Sequence, residues 1–393
     1  MLVIALVALW GWVSGGIALV LVPVLAGAFV LAEAEAWLRR RVAQRRAAAA
    51  EERDTLTGMP SRRRLAEDIA AFMRTRRGDA QLTLYVFDLV GYKKYNDAFG
   101  YAAGDAMLRH LCARLVATVG PAGGVYRLRG PQFAVATVAG PVEATRLRQA
   151  CVRALSEIGE GFLIGCAWGS ASLPRQARAL PEALKLADQE VQAERGALRR
   201  EGIDETTIAP APTGPRLEPS PYEVAGLAAA VGLLMGLDRV ELQAVQTAAA
   251  QRDVGMIALP DAIVNARGPL TPEQRAFVEL HTLVGERLLR ANLGLDEVSA
   301  IVRSTHERWD GGGYPDGLSG EEIPLGARIV AVCAAFQDMT SPRAHRPALI
   351  ARQAIEELRR GSGAQFDPHI VAAFVDAFEE SPETRPPSVG SEA

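Results

Sequence analysis

Apolar residues dominate the start of the chain, and no charged side chain occurs before Glu33. As one helix this stretch would be about 48 Å long, against a hydrocarbon layer of roughly 30 Å. The pattern predicts a transmembrane segment over residues 1–32: a tilted helix, a helix kinked at Pro23, or a tight hairpin turning at Ser14-Gly15-Gly16. The run is too long, and lacks the basic leading region, for a cleaved signal peptide. Arg39, Arg40, Arg41, Arg45 and Arg46 follow it closely, and the positive-inside tendency places everything after about residue 33 in the cytoplasm of a cell with this protein in its inner, or cell, membrane.

The pattern then changes. Residues 33–53 are rich in Ala, Glu and Arg without Gly or Pro and predict one signalling helix leaving the membrane, of a kind that pairs in parallel dimers. From 54 to 200, helical periodicities alternate with β-rich runs such as "LTLYVFDL" and "FAVATVAG", the mark of an α/β layer. Residues 201–220 are Pro-, Thr- and Gly-rich, a linker. Helical patterns fill 221–380, and 381–393 reads as a disordered tail. The fold class is therefore multidomain: a transmembrane helix, an α/β domain and an all-α domain.

Composition narrows the partners. A net charge of −3 and a pI near 6.1, with no basic tract interleaved with aromatics, argue against nucleic acid. Cys112, Cys151, Cys166 and Cys333 are far apart in apolar surroundings and read as buried thiols in a reducing compartment.

Three motifs, "DTLTGMPSRRRL", "FDLVGYKKYNDAFGYAAGDAMLRHL" and "VYRLRGPQFAVA", occur in the order and spacing of the GGDEF family of diguanylate cyclases, which residues 54–200 resemble. The resemblance implies a ferredoxin-like sheet on which a strand-end carboxylate and two hairpin acids hold metal on a nucleotide triphosphate, since phosphoryl transfer rests on positioning and charge neutralisation. Asp88 matches the strand carboxylate; Asn96 and Asp105 match the guanine-recognising positions. The hairpin reads Arg129-Gly130-Pro131-Gln132-Phe133, with Pro131 and Gln132 where the family has its two acids. Glu194 stands where a phosphate-binding lysine is expected. Read without the family, Asp88, Asn96 and Asp105 are ordinary strand-end and turn residues.

Residues 221–380 resemble the HD-GYP family of cyclic di-GMP phosphodiesterases through "RDVGMIALPDAIV", "LHTLVGERLL", "STHERWDGGGYPDGLSGEEIPLGARIVAVCAAF" and "AQFDPHIVAAF". The family holds two or three metals with a His-Asp pair, later histidines and a distant Asp; these activate a water against the phosphodiester. Arg252 replaces the histidine of the pair, Met256 a lysine, Thr305 the first of two consecutive histidines, and Ala334 the distant Asp. Asp253, His281 and His306 remain, which implies no bound metal or, as the alternative, one divalent Fe, Mn or Zn. On chemistry alone, Asp253 could equally cap a helix or pair with Arg252, the histidines could be buried hydrogen-bonded imidazoles, and His306 and Glu307 are both eligible as donors. The glycine-rich turn keeps Asp310, Gly313, Tyr314 and Pro315; with Arg328 these are ligand-binding candidates, Tyr314 to stack on a base and Arg328 to meet a phosphate.

The chain thus reads as a membrane-anchored signalling protein of the cyclic di-GMP pathway class, a catalytically inactive regulator or scaffold. Its expected partners are other signalling proteins, a second copy of itself, and cyclic di-GMP. The alternative is a metal-dependent phosphohydrolase with a reduced metal site.

Overall fold

The structure, a computed structural model, describes Glu33 and residues 52–200, 221–266, 268–293, 295–342 and 347–379. The membrane segment expected over 1–32, all but the edges of the helix expected over 33–53, the linker 201–220 and the tail 381–393 lie outside the described residues. Among the described residues no helix is long and apolar enough to cross a membrane.

Two compact units are present. Of the described residues, the smaller one joins those up to Arg76 with Tyr126–Leu128. Its helix α1 (Arg62–Thr75) buries Leu65 and Ile69, four residues apart on one face. Asp54 organises the turn before it, accepting from the Thr57 amide at 2.8 Å, the Thr57 hydroxyl at 2.7 Å and the Arg127 guanidinium at 2.7 Å. Tyr126 donates its hydroxyl to Asp68 at 2.9 Å.

The larger unit holds the remaining described residues. From Leu82 to Arg200 the chain runs β1 (Leu82–Val90), α2 (Tyr92–Phe99), α3 (Tyr101–Val119), β2 (Gly124–Arg129), whose residues Tyr126–Leu128 belong to the smaller unit, β3 (Gln132–Thr137), α4 (Pro141–Leu155), β4 (Glu157–Gly159), β5 (Phe162–Leu173) and α5 (Leu180–Arg200). The sheet order is β2-β3-β1-β5-β4, with β1 antiparallel to both β3 and β5. As the central strand, β1 is buried at every position but one, and α4 and α5 both pack against β1 and β5. The register sets Asp88 opposite Gln132 on one side and Ala167 on the other. Gly130, at φ +47, makes the two-residue turn between β2 and β3; glycine at the first central position, followed by proline, suits such a hairpin. All four cysteines are buried thiols.

The second part is helical: α6 (Pro221–Leu234), α7 (Arg239–Gln251), α8 (Asp261–Val264), α9 (Pro272–Glu279), α10 (His281–Leu293), α11 (Asp296–Arg303), α12 (Leu325–Thr340), α13 (Ala351–Gly361) and α14 (Pro368–Glu379). A capping box starts α7, with Asp238 and Glu241 each accepting from the other's backbone, and another starts α9 from Thr271 and Gln274. Val231, Val302, Val330, Cys333, Leu358 and Phe374 are among the residues of its apolar core. Short 3₁₀ turns at Val254–Ala258 and Gly320–Glu322 interrupt the helices next to the residues of interest.

Candidate metal centre

Asp253, His281 and His306 come from three separate segments, and the fold brings them together. Asp253 follows the end of α7 and opens the 3₁₀ turn Val254–Ala258. His281 is the first residue of α10, and His306 lies in the turn after α11. One ligand atom from each lies within 4.8 Å of the others. Gly255 makes this possible: a Cβ there would strike the His281 carbonyl and come 2.7 Å from the Gly285 nitrogen, so only glycine lets the Asp253 segment lie this close to α10.

The histidines are set up as donors. His281 is buried, and its Nδ1 lies 2.7 Å from the Val278 carbonyl oxygen. A carbonyl can only accept, so Nδ1 carries the proton and Nε2 presents a lone pair. That Nε2 and the Nε2 of His306 are both buried without a hydrogen-bond partner. Buried imidazole nitrogens rarely go unsatisfied, and a divalent cation is the chemistry that would satisfy two of them facing a carboxylate. The His306 ring stands edge-on to His281 at 4.9 Å and stacks on Tyr314 at 5.0 Å and 7°. Burial, aided by His281 and Arg252 and opposed by Asp253, pushes the His306 pKa down to about 4, so the ring is neutral near pH 7, as a ligand must be. The residues thus fit one divalent metal, the alternative expected from the sequence, rather than the expectation of none.

A second cation is already built in. The buried Arg252 places Nε 3.1 Å from Asp253 Oδ2 and donates from Nη1 to the Ala249 carbonyl at 3.1 Å. Thr305 is buried and donates its hydroxyl to the Val302 carbonyl at 3.0 Å. Met256 sits in the 3₁₀ turn, and Ala334 packs against the apolar core from α12.

Glu307 has a different task. Its buried carboxylate accepts from the amides of Asp316 (2.7 Å), Gly317 (3.1 Å) and Leu318 (3.1 Å), which makes it the staple of the glycine-rich loop. Gly313 passes so near Glu307 that a Cβ would lie 2.5 Å from the Glu307 Cα. Arg303 ties the loop to the helices, bidentate to Asp316 at 2.7 and 2.8 Å and paired with Glu286. Asp310 is exposed and holds Arg308 at 2.7 Å and the Gly312 amide at 3.0 Å; chiefly the Arg308 hydrogen bond lowers its pKa to about 2. Tyr314, which precedes the cis Pro315, is half-buried, with its face given to His306. Arg328 is committed as well: it donates to Asp367 at 2.7 Å and to the Ile323 carbonyl at 2.9 Å, so a phosphate would have to compete with a buried carboxylate.

At the sheet, Asp88 is buried and paired with Arg195 of α5 at 2.8 Å, while Gln132 of the hairpin approaches it at 3.5 Å. Sequence reasoning fixed on Glu194 and missed Arg195, one position on, which the helix turns toward Asp88. Asn96 on α2 has its Oδ1 buried without a partner, hard against Gly104 of α3. Asp105 follows Gly104 and is half-buried.

Comparison with known proteins agrees with this division. Residues 51–201 match the diguanylate cyclase GGDEF domain and residues 185–370 match an HD domain, so the chain carries both domains. Among curated relatives, a cyclic di-GMP phosphodiesterase of Thermotoga maritima is 38% identical over 148 residues, 37% of this chain and 40% of that protein. The cyclic di-GMP phosphodiesterase response regulator RpfG of Xanthomonas campestris is 38% identical over 154 residues, 39% of this chain and 40% of that protein. The cyclic di-GMP phosphodiesterase PA4108 of Pseudomonas aeruginosa is 40% identical over 129 residues, 32% of this chain and 30% of that protein. The chain therefore spans well under half the length of these relatives.

Proposed function

We propose that this chain is a regulatory protein of the cyclic di-GMP pathway, with a cyclase-like module that does not turn over nucleotide and an HD module that holds one divalent metal without hydrolysing cyclic di-GMP. One observation carries the reading: both carboxylates retained at the family's metal positions are ion-paired to an arginine of the chain itself, Asp88 to Arg195 and Asp253 to Arg252. A guanidinium neutralises the carboxylate but neither activates water nor bridges phosphate oxygens as a metal does. Asp253, His281 and His306 would hold the metal, with Arg252 as the fixed neighbouring charge. When bound, such a metal supplies a Lewis acid and an open position for a ligand oxygen.

Binding of cyclic di-GMP to the HD module, a second copy or other signalling proteins as partners, and anchoring in the cell membrane through residues 1–32 with the rest in the cytoplasm complete the proposal. The last rests on the uncharged start of the chain and the arginines after it; membrane fractionation of cells expressing the full chain tests it.

The second reading, a phosphohydrolase with a reduced metal set, draws on the two orphaned Nε2 atoms, because three protein donors plus water is a catalytic arrangement in other zinc sites. Metal analysis of the purified full chain in detergent, together with turnover assays on GTP and cyclic di-GMP in Mn²⁺, Fe²⁺ and Zn²⁺, separates them. One metal per chain and no turnover is the expected result. Turnover of cyclic di-GMP that His306→Ala abolishes establishes the second reading, and a chain that binds no metal overturns both.

A further inference from the structure

Two of the three donor-bearing segments are gripped by a single helix of the cyclase-like module. Tyr95, in the middle of α2, is fully buried, and its hydroxyl donates to the Ala258 carbonyl at 2.7 Å. Ala258 closes the short 3₁₀ turn that Asp253 opens, and the turn is held internally by the Met256 amide on the Asp253 carbonyl and the Leu259 amide on the Met256 carbonyl, both at 2.9 Å. Arg287, less than two turns along α10 from His281, donates from Nη2 to the Asp97 carbonyl at 3.0 Å and from Nε to the Ala98 carbonyl at 3.2 Å. Those carbonyls are at the C-terminal end of α2, where a cation satisfies both the free acceptors and the helix dipole.

The hairpin between β4 and β5 closes the grip from a second side. The Gly161 amide donates to the Ile257 carbonyl at 3.3 Å. A Cβ at Gly159 would lie 2.7 Å from the Leu259 carbonyl oxygen, and one at Gly161 would collide with the Ile257 side chain. Backbone-to-backbone approach of this kind leaves little freedom to the gripped turn. Phe162 and Phe99 pack edge-on against the Tyr95 ring, both at 4.9 Å, so the hydroxyl is aimed by a fixed aromatic cluster. Both the Asp253 turn and the helix that starts at His281 are therefore referenced to α2, which also carries Asn96.

We infer that the cyclase-like module is an intramolecular clamp on the HD metal centre: through Tyr95 and Arg287 it fixes the spacing between the Asp253 turn and His281, and thereby sets the affinity of the three donors for a divalent cation. Tyr95 and Arg287 are positioning residues that touch no metal. The clamp gives a GGDEF domain without its hairpin acids a mechanical task, and it rests on the one-metal reading only for its consequence, not for its geometry.

Tyr95→Phe and Arg287→Ala in the full chain, singly and together, test it with two readouts. The first is amide hydrogen exchange across Val254–Leu259 without metal, where the loss of one buried hydrogen bond lowers protection about tenfold. The second is Co²⁺ titration followed by its visible absorption, where loss of a supporting contact weakens binding roughly tenfold. Arg287 is on the surface, so Arg287→Ala serves where Tyr95→Phe perturbs folding, and thermal unfolding of each variant identifies that case. Faster exchange confined to this turn together with weaker Co²⁺ binding is the expected outcome. Wild-type exchange in the variants overturns the clamp, as does faster exchange with unchanged Co²⁺ affinity. A wild type that binds no Co²⁺ refutes the one-metal reading, and the exchange experiment then decides the clamp alone.

Discussion

The neighbourhood of Asp88 and the neighbourhood of Asp253 share one feature, a carboxylate paired with an arginine of the chain, and differ in what else faces it. At Asp88 an arginine from α5 and a glutamine from the hairpin meet the carboxylate. At Asp253 an arginine takes one oxygen, yet two buried imidazole nitrogens still face the site without partners. A buried carboxylate is quieted by any well-placed cation, whereas an imidazole lone pair needs a donor or a metal. The first site is electrostatically closed and the second is not.

The largest effect that separates them is metal binding. His281→Ala removes the donor whose tautomer is fixed by Val278, and two remaining donors cannot hold a divalent ion against water. We expect metal content to fall from one per chain to none by elemental analysis, with the fold retained by circular dichroism. Retention of stoichiometric metal in this variant would place the ion elsewhere.

A middle-sized effect belongs to the sheet. Arg195→Ala removes the guanidinium paired with the buried Asp88 and leaves the Gln132 amide beside it. Breaking a buried pair costs about 3–5 kcal/mol, but Arg195 keeps 30% of its side chain exposed, so about 2 kcal/mol is the discounted expectation, read as a lower urea midpoint. Millimolar Mg²⁺ should stabilise the variant more than the wild type, because at Asp88 only the variant has a carboxylate in need of a cation. The reverse result, no loss in the variant, would show that Asp88 does not depend on Arg195.

These particulars also mark what could be read from the chain alone. The two domains follow from β-rich runs such as "LTLYVFDL" alternating with helical patterns before residue 200, and from helical patterning after residue 221, because a central strand buried on both faces leaves an apolar run and helix faces leave a periodic one. The three donors were identifiable from motif order, and Arg252 was visible as a cation where the resemblance has a neutral imidazole. Arg195 was not legible, since a helix surface offers several arginines and only tertiary packing selects the one that meets Asp88. Glu307 was misleading for a related reason: a carboxylate beside a histidine suggests a metal ligand, but three loop amides had a prior claim on it. Nor does any local pattern announce the Tyr95–Ala258 contact, which joins residues 163 positions apart.

The smallest effect concerns the loop that carries Tyr314 to His306. Asp316 has its pKa lowered, first by the hydrogen bond from Arg303, with its charge adding and burial opposing. A carboxylate depressed on folding lends stability that is present above the ordinary Asp range near 3.9 and lost as pH falls through the folded value. With both partners about one-third exposed, the contribution is under about 1 kcal/mol. Arg303→Gln should return the Asp316 titration, followed by carboxyl NMR, toward the ordinary value, and flatten this part of the acid limb of the stability curve. An unchanged Asp316 titration in the variant would mean that the glycine-rich loop, and not Arg303, holds its charge.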